Sequence, residues 1–169
     1  EQERRKRARI LELVEYLKLP FDADFSRLQM PPGRSSIFHG VKNTTLIDST
    51  YNANLISMRA ALNMFEKLEA QNKWVVLGDM RELGEEDKEE HERLAQLLSE
   101  LSLQKIILMG ASINKYTYPH LNVILSAKQS RREESRPNAE VLKLENHSDT
   151  LKYLKENILD PAGLNSTFY

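Results

Sequence analysis

No cysteine occurs in the 169 residues, so disulfides and thiolate metal sites are excluded, and the chain fits a reducing cytoplasm. No stretch approaches the ~20 consecutive apolar residues of a membrane span. The opening EQERRKRARILELVEYL also lacks the uninterrupted apolar segment of a secretory signal, so insertion into a membrane is not expected. An excess of one charge is missing as well. Lys and Arg number 24 against 25 Asp and Glu, a formal charge of −1, which exerts no overall pull toward nucleic acid or anionic lipid. Small or neutral partners are expected instead. Within that balance the cluster Arg4, Arg5, Lys6, Arg7 and Arg9 is read as a solvated helix face. His39, His120 and His147 stand at no spacing from Asp or Glu that suggests a metal site. What is present suffices for a core, since an apolar share of 40% over this length suits one domain with a piece of a neighbour.

Along the chain, Ile10, Leu13, Val14 and Leu17 recur at helical spacing between charged positions, which predicts an amphipathic helix ending near Pro20. From Phe21 to Arg34 the pattern dissolves, and Pro31-Pro32-Gly33 reads as a linker or hinge. A domain boundary is placed there, between residues 1–30 and 31–169. Beyond it, SSIFHG and TTLIDS are short β-rich runs, and Leu55, Met58, Leu62, Phe65 and Leu68 mark a helix. KWVVLGDM predicts a buried strand, Leu94, Leu98 and Leu101 a helix face, KIILMG another strand and LNVIL a fourth. AKQSRREESRPNAE is expected to be a surface loop, EVLKLEN an edge strand, and HSDTLKYLKENIL a last helix with Ser148 or Asp149 as N-cap, the residue types favoured there. Such alternation predicts an α/β fold with a mostly parallel sheet covered by helices. No internal repeat is seen.

Two turns carry candidate chemistry. In an open α/β sheet, ligands bind beyond the carboxyl ends of the strands, where helix N-termini present unpaired N–H groups. DSTYNAN, residues 48–54, lies at such an end. A carboxylate there can accept hydrogen bonds from a sugar diol, an Asn amide can both donate to and accept from a base edge, and a Tyr ring can pack on a flat heterocycle. The same residue types also serve as turn and cap residues. VVLGDMRELGEEDKEEH repeats the arrangement, and both turns are expected at one edge of the sheet. Its acidic run, Glu85, Glu86 and Asp87, is read as complementing a helix dipole. His91 falls on the face of Leu94 and Leu98, as a hydrogen-bonded core histidine would.

Together PPGR, IDSTYNAN and VVLGDMRELGEEDKEEH, in this order and at these separations, resemble the C-terminal domain of the Mur ligases. The nearest type joins D-alanyl-D-alanine to a UDP-N-acetylmuramoyl-tripeptide. Agreement of separated motifs carries the resemblance, which runs from about Leu28 to His91 and more diffusely to Ile158. It implies a Rossmann-like α/β domain preceded by a helix from a central domain, within a three-domain, monomeric, cytoplasmic enzyme of peptidoglycan synthesis. It also implies ATP and Mg2+ as cofactors, amide formation through an acyl phosphate, and UDP-MurNAc-tripeptide and D-Ala-D-Ala as partners, with neither nucleic acid nor membrane. The sequence holds no G-x-x-x-x-G-K-[ST], the phosphate cradle of such chemistry. The chain is therefore expected to be the tail of the central domain, the hinge and most of the C-terminal domain, inactive by itself, with no catalytic residue and no metal ligand of its own. A nucleotide-binding or interaction module without catalysis is the alternative.

Carried over by position, the resemblance implies that Arg34 reaches the nucleotide on closure and that Asp48 binds the ribose hydroxyls. It places Tyr51, Asn52 and Asn54 beside the adenine or the dipeptide, and Asp79, Met80 and Glu82 on the wall of the dipeptide pocket. Two departures stand out. The family's YNANP reads Tyr51-Asn52-Ala53-Asn54-Leu55 here, and loss of the proline is expected to loosen the helix start. After the last helix, where the family shows an apolar strand, a KGS-like turn and a helix, the sequence reads ILDPAGLNSTFY. A truncated end of this kind leaves a sheet edge unpaired and open to self-association.

Overall fold

The computed structural model describes residues 12–18, 32–40, 43–130, 139–159 and 166–168, with residues 159 and 166–168 as backbone only. The chain divides into two compact units, Glu1–Pro31 and Pro32–Tyr169. In the first, residues 12–16 are helical (α1), with Val14 half-buried and Leu13 and Leu17 exposed. Ile10 and the linker before Pro32 lie outside the described residues.

The second unit is built on a six-stranded sheet of order β1-β2-β6-β3-β4-β5. Its strands are β1 (Ser36–His39), β2 (Thr45–Asp48), β3 (Asn72–Gly78), β4 (Lys105–Met109), β5 (Glu140–Leu144) and β6 (Ser166–Phe168). β1 is antiparallel to β2 and every other pair is parallel. The helices are α2 (Leu55–Glu66), α3 (Asp87–Glu100), α4 (Tyr118–Ser130) and α5 (His147–Leu154). The units β2-α2-β3, β3-α3-β4 and β4-α4-β5 advance in one direction across the sheet. Right-handed crossovers therefore place α2, α3 and α4 together on one face.

That face holds the core. Leu55, Met58, Leu62 and Phe65 of α2 and Leu94, Ala95 and Leu98 of α3 close over Ile47, Val75, Leu77, Ile106 and Leu108 of the strands. Phe65 and Leu62 have no exposed surface, and each such side chain contributes about 1.5–3 kcal/mol by burial. On the opposite face Trp74, Lys105 and Glu140 stand in register. The Lys105 ammonium sits 4.4 Å from the Trp74 ring centroid and 2.9 Å from Glu140 Oε2, and donates to the Tyr153 hydroxyl of α5. Burial alone would lower the Lys105 pKa, but the hydrogen bonds to Tyr153 and Glu140 outweigh it and hold the group above the ordinary lysine value.

The expected α/β class is the observed one, and several local expectations are corrected. LNVIL is not a strand but part of α4. Leu121 is buried and Leu125 packs on the core, while Val123 is exposed, so the run follows a helical period instead of a two-residue one. Pro119 is accommodated because the preceding turn, Ile113–Thr117, is π-helical and widens the ladder where the proline ring would crowd a carbonyl. The N-cap of α5 is Asn146 in place of Ser148 or Asp149: its side chain accepts from Asp149 N–H and donates to the Asp149 carboxylate. Leu68 lies beyond α2, which ends at Glu66. Finally, Ser166–Phe168 forms β6, hydrogen-bonded to β2 and β3 in the sheet interior, so a strand does follow the last helix. In the loop expectation, residues 127–130 belong to α4 and 131–138 lie outside the described residues.

Candidate functional site

Because β2, β6, β3 and β4 run parallel, the turns after β2 and β3 open at one edge of the sheet. One strand separates them, so their starting points lie ~10 Å apart at the usual interstrand spacing. That width suits a flat heterocycle or a short peptide.

The first turn begins at Asp48, the last residue of β2 and half-buried. Its Oδ1 accepts from the Thr50 backbone N–H at 3.0 Å and from Thr50 Oγ1 at 2.7 Å, an Asx turn that fixes the carboxylate. Among the described residues no hydrogen bond reaches Oδ2. Tyr51 follows, 63% exposed, and its N–H donates to the Gly33 carbonyl at 3.0 Å. The Arg34 guanidinium carbon lies 4.3 Å from the Tyr51 ring centroid, within cation–π range. Gly33 makes this approach possible: its φ is +76° and a Cβ there would fall 3.0 Å from the Tyr51 nitrogen. Asn52 is exposed, and its carbonyl accepts from Ser57 Oγ. Asn54 is the N-cap of α2: its Oδ1 accepts from Ser57 N–H at 2.9 Å, while Ser57 Oγ accepts from Asn54 N–H at 3.1 Å. This reciprocal capping box starts the helix firmly at a buried Leu55, so the missing proline does not loosen it.

The second turn is used differently. Asp79 points across to the helix that leaves β4, where its Oδ2 accepts from Ala111 N–H at 2.9 Å and its Oδ1 from Ile113 N–H at 2.8 Å. A carboxylate on the first N–H groups of a helix is favourable for both hydrogen bonding and the dipole. Gly110 lets it in, with φ at +142° and a hypothetical Cβ only 2.4 Å from the carboxylate. Met80 is buried in the core, whereas Arg81 and Glu82 are exposed, Glu82 with a left-handed φ of 62°.

The structure thus stacks Arg34 on Tyr51 in the turn that follows the half-buried Asp48, with Asn52 and Asn54 adjoining at the head of α2. It turns Asp79 and Met80 inward and leaves Glu82 outward. His91, the hydrogen-bonded core histidine that the sequence led one to expect, braces the second turn together with Asp87 and with Ser112, which sequence reasoning missed. Asp87 Oδ2 accepts from Ser112 Oγ at 2.8 Å, and the buried His91 ring lies between Asp87 and Met80. The i, i+4 spacing of Asp87 and His91 was a visible signal; nothing local marks Ser112. Lys115, exposed on the helix leaving β4, stays above the ordinary lysine pKa through its hydrogen bond with Tyr116, with a smaller contribution from Asp87. Among the described residues no group of three His, Asp or Glu side chains could hold a metal ion.

Residues 33–156 match the profile of the family described as Mur ligase, glutamate ligase domain. A UDP-N-acetylmuramoyl-tripeptide–D-alanyl-D-alanine ligase of Rickettsia prowazekii is 34% identical over 101 residues, 60% of this chain and 22% of the relative. The enzyme of the same name from Mycobacterium leprae is 38% identical over 85 residues, 41% of this chain and 16% of the relative. Among solved structures, MurF from Acinetobacter baumannii superposes with a TM-score of 0.65 at 25% identity, covering 84% of this chain and 28% of that one. MurF ligase from Thermotoga maritima in complex with ADP gives 0.60 at 22% identity, covering 94% and 31%. The chain spans about a fifth of the length of the curated relatives it matches.

Proposed function

The chain belongs to the Mur ligase family through its glutamate ligase domain, and from that premise we propose that it supplies the nucleotide- and amine-side domain of a larger ATP-dependent amide-forming ligase. The reaction proposed for the whole enzyme is addition of D-Ala-D-Ala to UDP-MurNAc-tripeptide through an acyl phosphate, in peptidoglycan precursor synthesis in the cytoplasm. The curated relatives carry that name. Residues 1–30 are proposed to be the helical tail of the neighbouring central domain, joined to residues 31–169 by the Pro31-Pro32-Gly33 hinge.

The observation that carries the reading is the turn at the carboxyl end of β2, where Asp48 ends the strand and Arg34 stacks on Tyr51. Asp48 keeps Oδ2 for a ribose hydroxyl while Oδ1 is tied to Thr50, so the carboxylate is oriented before a ligand arrives. Arg34 presents a planar cation suited to phosphate oxygens, and Tyr51 holds that plane and offers an exposed ring edge to the base. The exposed Asn52 amide can pair with a base edge. The Asn54 amide oxygen is engaged in capping, which fixes the start of α2 beside the ligand. These groups fit a nucleotide, and the Thermotoga maritima relative was solved with ADP. They do not fit a magnesium site, so no step here is assigned to the ion, which we place with the phosphates in the rest of the enzyme. On the amine side, Glu82 is the exposed carboxylate suited to an ammonium group, and Asp79 and Met80 act by shaping the turn that presents it.

The test is calorimetric titration of the purified chain with ADP, beside an amide-formation assay on the full-length ligase with ATP, UDP-MurNAc-tripeptide and D-Ala-D-Ala. Binding that is lost in Arg34→Ala and Asp48→Ala, together with dipeptide-dependent phosphate release, supports the reading. A ligase that consumes no ATP with these substrates refutes it.

A further inference from the structure

His91 is fully buried, with 0% of its side chain exposed, and the proposed chemistry makes no use of it. Its Nδ1 lies 2.8 Å from the Asp87 carbonyl and 3.1 Å from Asp87 Oδ1. Both partners are acceptors, so Nδ1 carries the ring proton. Nε2 is left with a lone pair, and that lone pair meets the Met80 N–H at 3.4 Å. The imidazole therefore ties the peptide of the second turn to the first turns of α3. The same helix is braced to the one leaving β4, because the His91 carbonyl accepts from Thr117 Oγ1 and Asp87 accepts from Ser112 Oγ, each at 2.8 Å. Asp79 fixes the other flank of the turn through Ala111 and Ile113.

Between these anchors the backbone holds Glu82 at a φ of 62°, a conformation that a residue with a Cβ keeps only where its surroundings determine it. We infer that His91 is a positioning residue for the second wall of the site: by accepting the Met80 N–H it sets how Arg81 and Glu82 are presented at the carboxyl edge of the sheet. This rests on the proposed function insofar as that wall receives the incoming amine. An apolar side chain could fill the His91 volume, but it could not accept from Met80.

The experiment compares His91→Gln, whose side-chain oxygen reaches the Nε2 position, with His91→Leu, which keeps the packing and removes the acceptor. In this chain the Met80 amide should exchange with solvent about tenfold faster in His91→Leu than in the parent, relative to Val75 in β3, and close to the parent rate in His91→Gln. In the full-length ligase His91→Leu should raise KM for the amine substrate several-fold, leave KM for ATP unchanged, and be rescued by His91→Gln. Equal Met80 exchange in the two variants overturns the inference whatever the ligase does, as does an amine KM that is indifferent to a loosened turn. If His91→Leu does not fold, His91→Asn takes its place, since it keeps a donor for Asp87 and falls short of Met80. A wild-type ligase that forms no amide refutes the proposed function alone, and the exchange comparison then decides the inference.

Discussion

Replacing Asp48 with Ala separates a ligand-binding role from a structural one. Among the described residues the carboxylate accepts only from Thr50, through N–H and Oγ1, and both bonds end on Oδ1 at a half-exposed position. Losing a turn of this kind costs ~1 kcal/mol of stability, or roughly 2–4 °C in the melting temperature of a domain this size. A charge-assisted hydrogen bond from a ribose hydroxyl to Oδ2 is worth about 1.5–3 kcal/mol, so ADP affinity should fall roughly ten- to a hundredfold. Thr50→Val is the control. It removes the Oγ1 donor at 2.7 Å and keeps the backbone N–H, so it should lower stability by less than 1 kcal/mol, about half of a typical net bond, and leave ADP affinity within about twofold. Calorimetric titration with ADP and thermal melts on the same three proteins read both quantities. If Asp48→Ala melts well below the parent yet binds ADP as tightly, Asp48 is a turn residue and the nucleotide reading of this stretch fails.

Three further outcomes are expected. Tyr51→Ala should weaken ADP binding about two- to fivefold, the worth of an exposed cation–π contact that holds Arg34, while Tyr51→Phe keeps the parent affinity; equal loss in both would show that the hydroxyl matters instead of the stack. Gly110→Ala forces a side chain into a φ of +142° and against Asp79, so it should cost about 2–3 kcal/mol in a denaturant melt; combining it with Asp79→Ala should be less than additive, because the clash partner is gone. Lys105 has a raised pKa, so its contribution is fully present below the unfolded lysine value of ~10.4 and is lost as pH rises through the higher folded value. Lys105→Met should therefore melt lower at neutral pH and show a shallower fall in stability on the alkaline side than the parent.

Most of the elements were legible because their periodicity is local. Val75, Leu77, Ile106 and Leu108 read as buried strand residues, and Leu55, Met58, Leu62 and Phe65 as a helix face, and all of them line the core. LNVIL misled because five apolar or polar letters fit either period until the preceding Tyr118 is seen packing on the core with Leu121 and Leu125. Asn146 was passed over for residues two and three positions too late, although Asn146-x-x-Asp149 has the form of a capping pair. In the first turn, the local contacts Asp48–Thr50 and Asn54–Ser57 were legible because those partners are near in sequence. The role of Asp79 was not, since Ala111 and Ile113 lie more than thirty positions downstream and offer only backbone N–H groups. β6 was invisible for a related reason: three residues carry little pattern, and their place is fixed by partners in β2 and β3, far upstream in the chain.

That placement of β6 has a consequence for how the protein is made. The strands that carry the two candidate turns, β2 and β3, are not hydrogen-bonded to each other; each pairs with β6. A ribosome delivers β2, α2, β3 and everything through α5 before it delivers Ser166–Phe168. The two turns can reach their ~10 Å separation only after translation has run on for the order of seconds. Until then the facing backbone edges of β2 and β3 stand open to each other or to a neighbouring chain. The first pairing is a misregistered, narrowed sheet and the second an aggregate. A nascent chain stalled just before Ser166 should therefore hold its helices and its β3-β4-β5 core while binding no nucleotide.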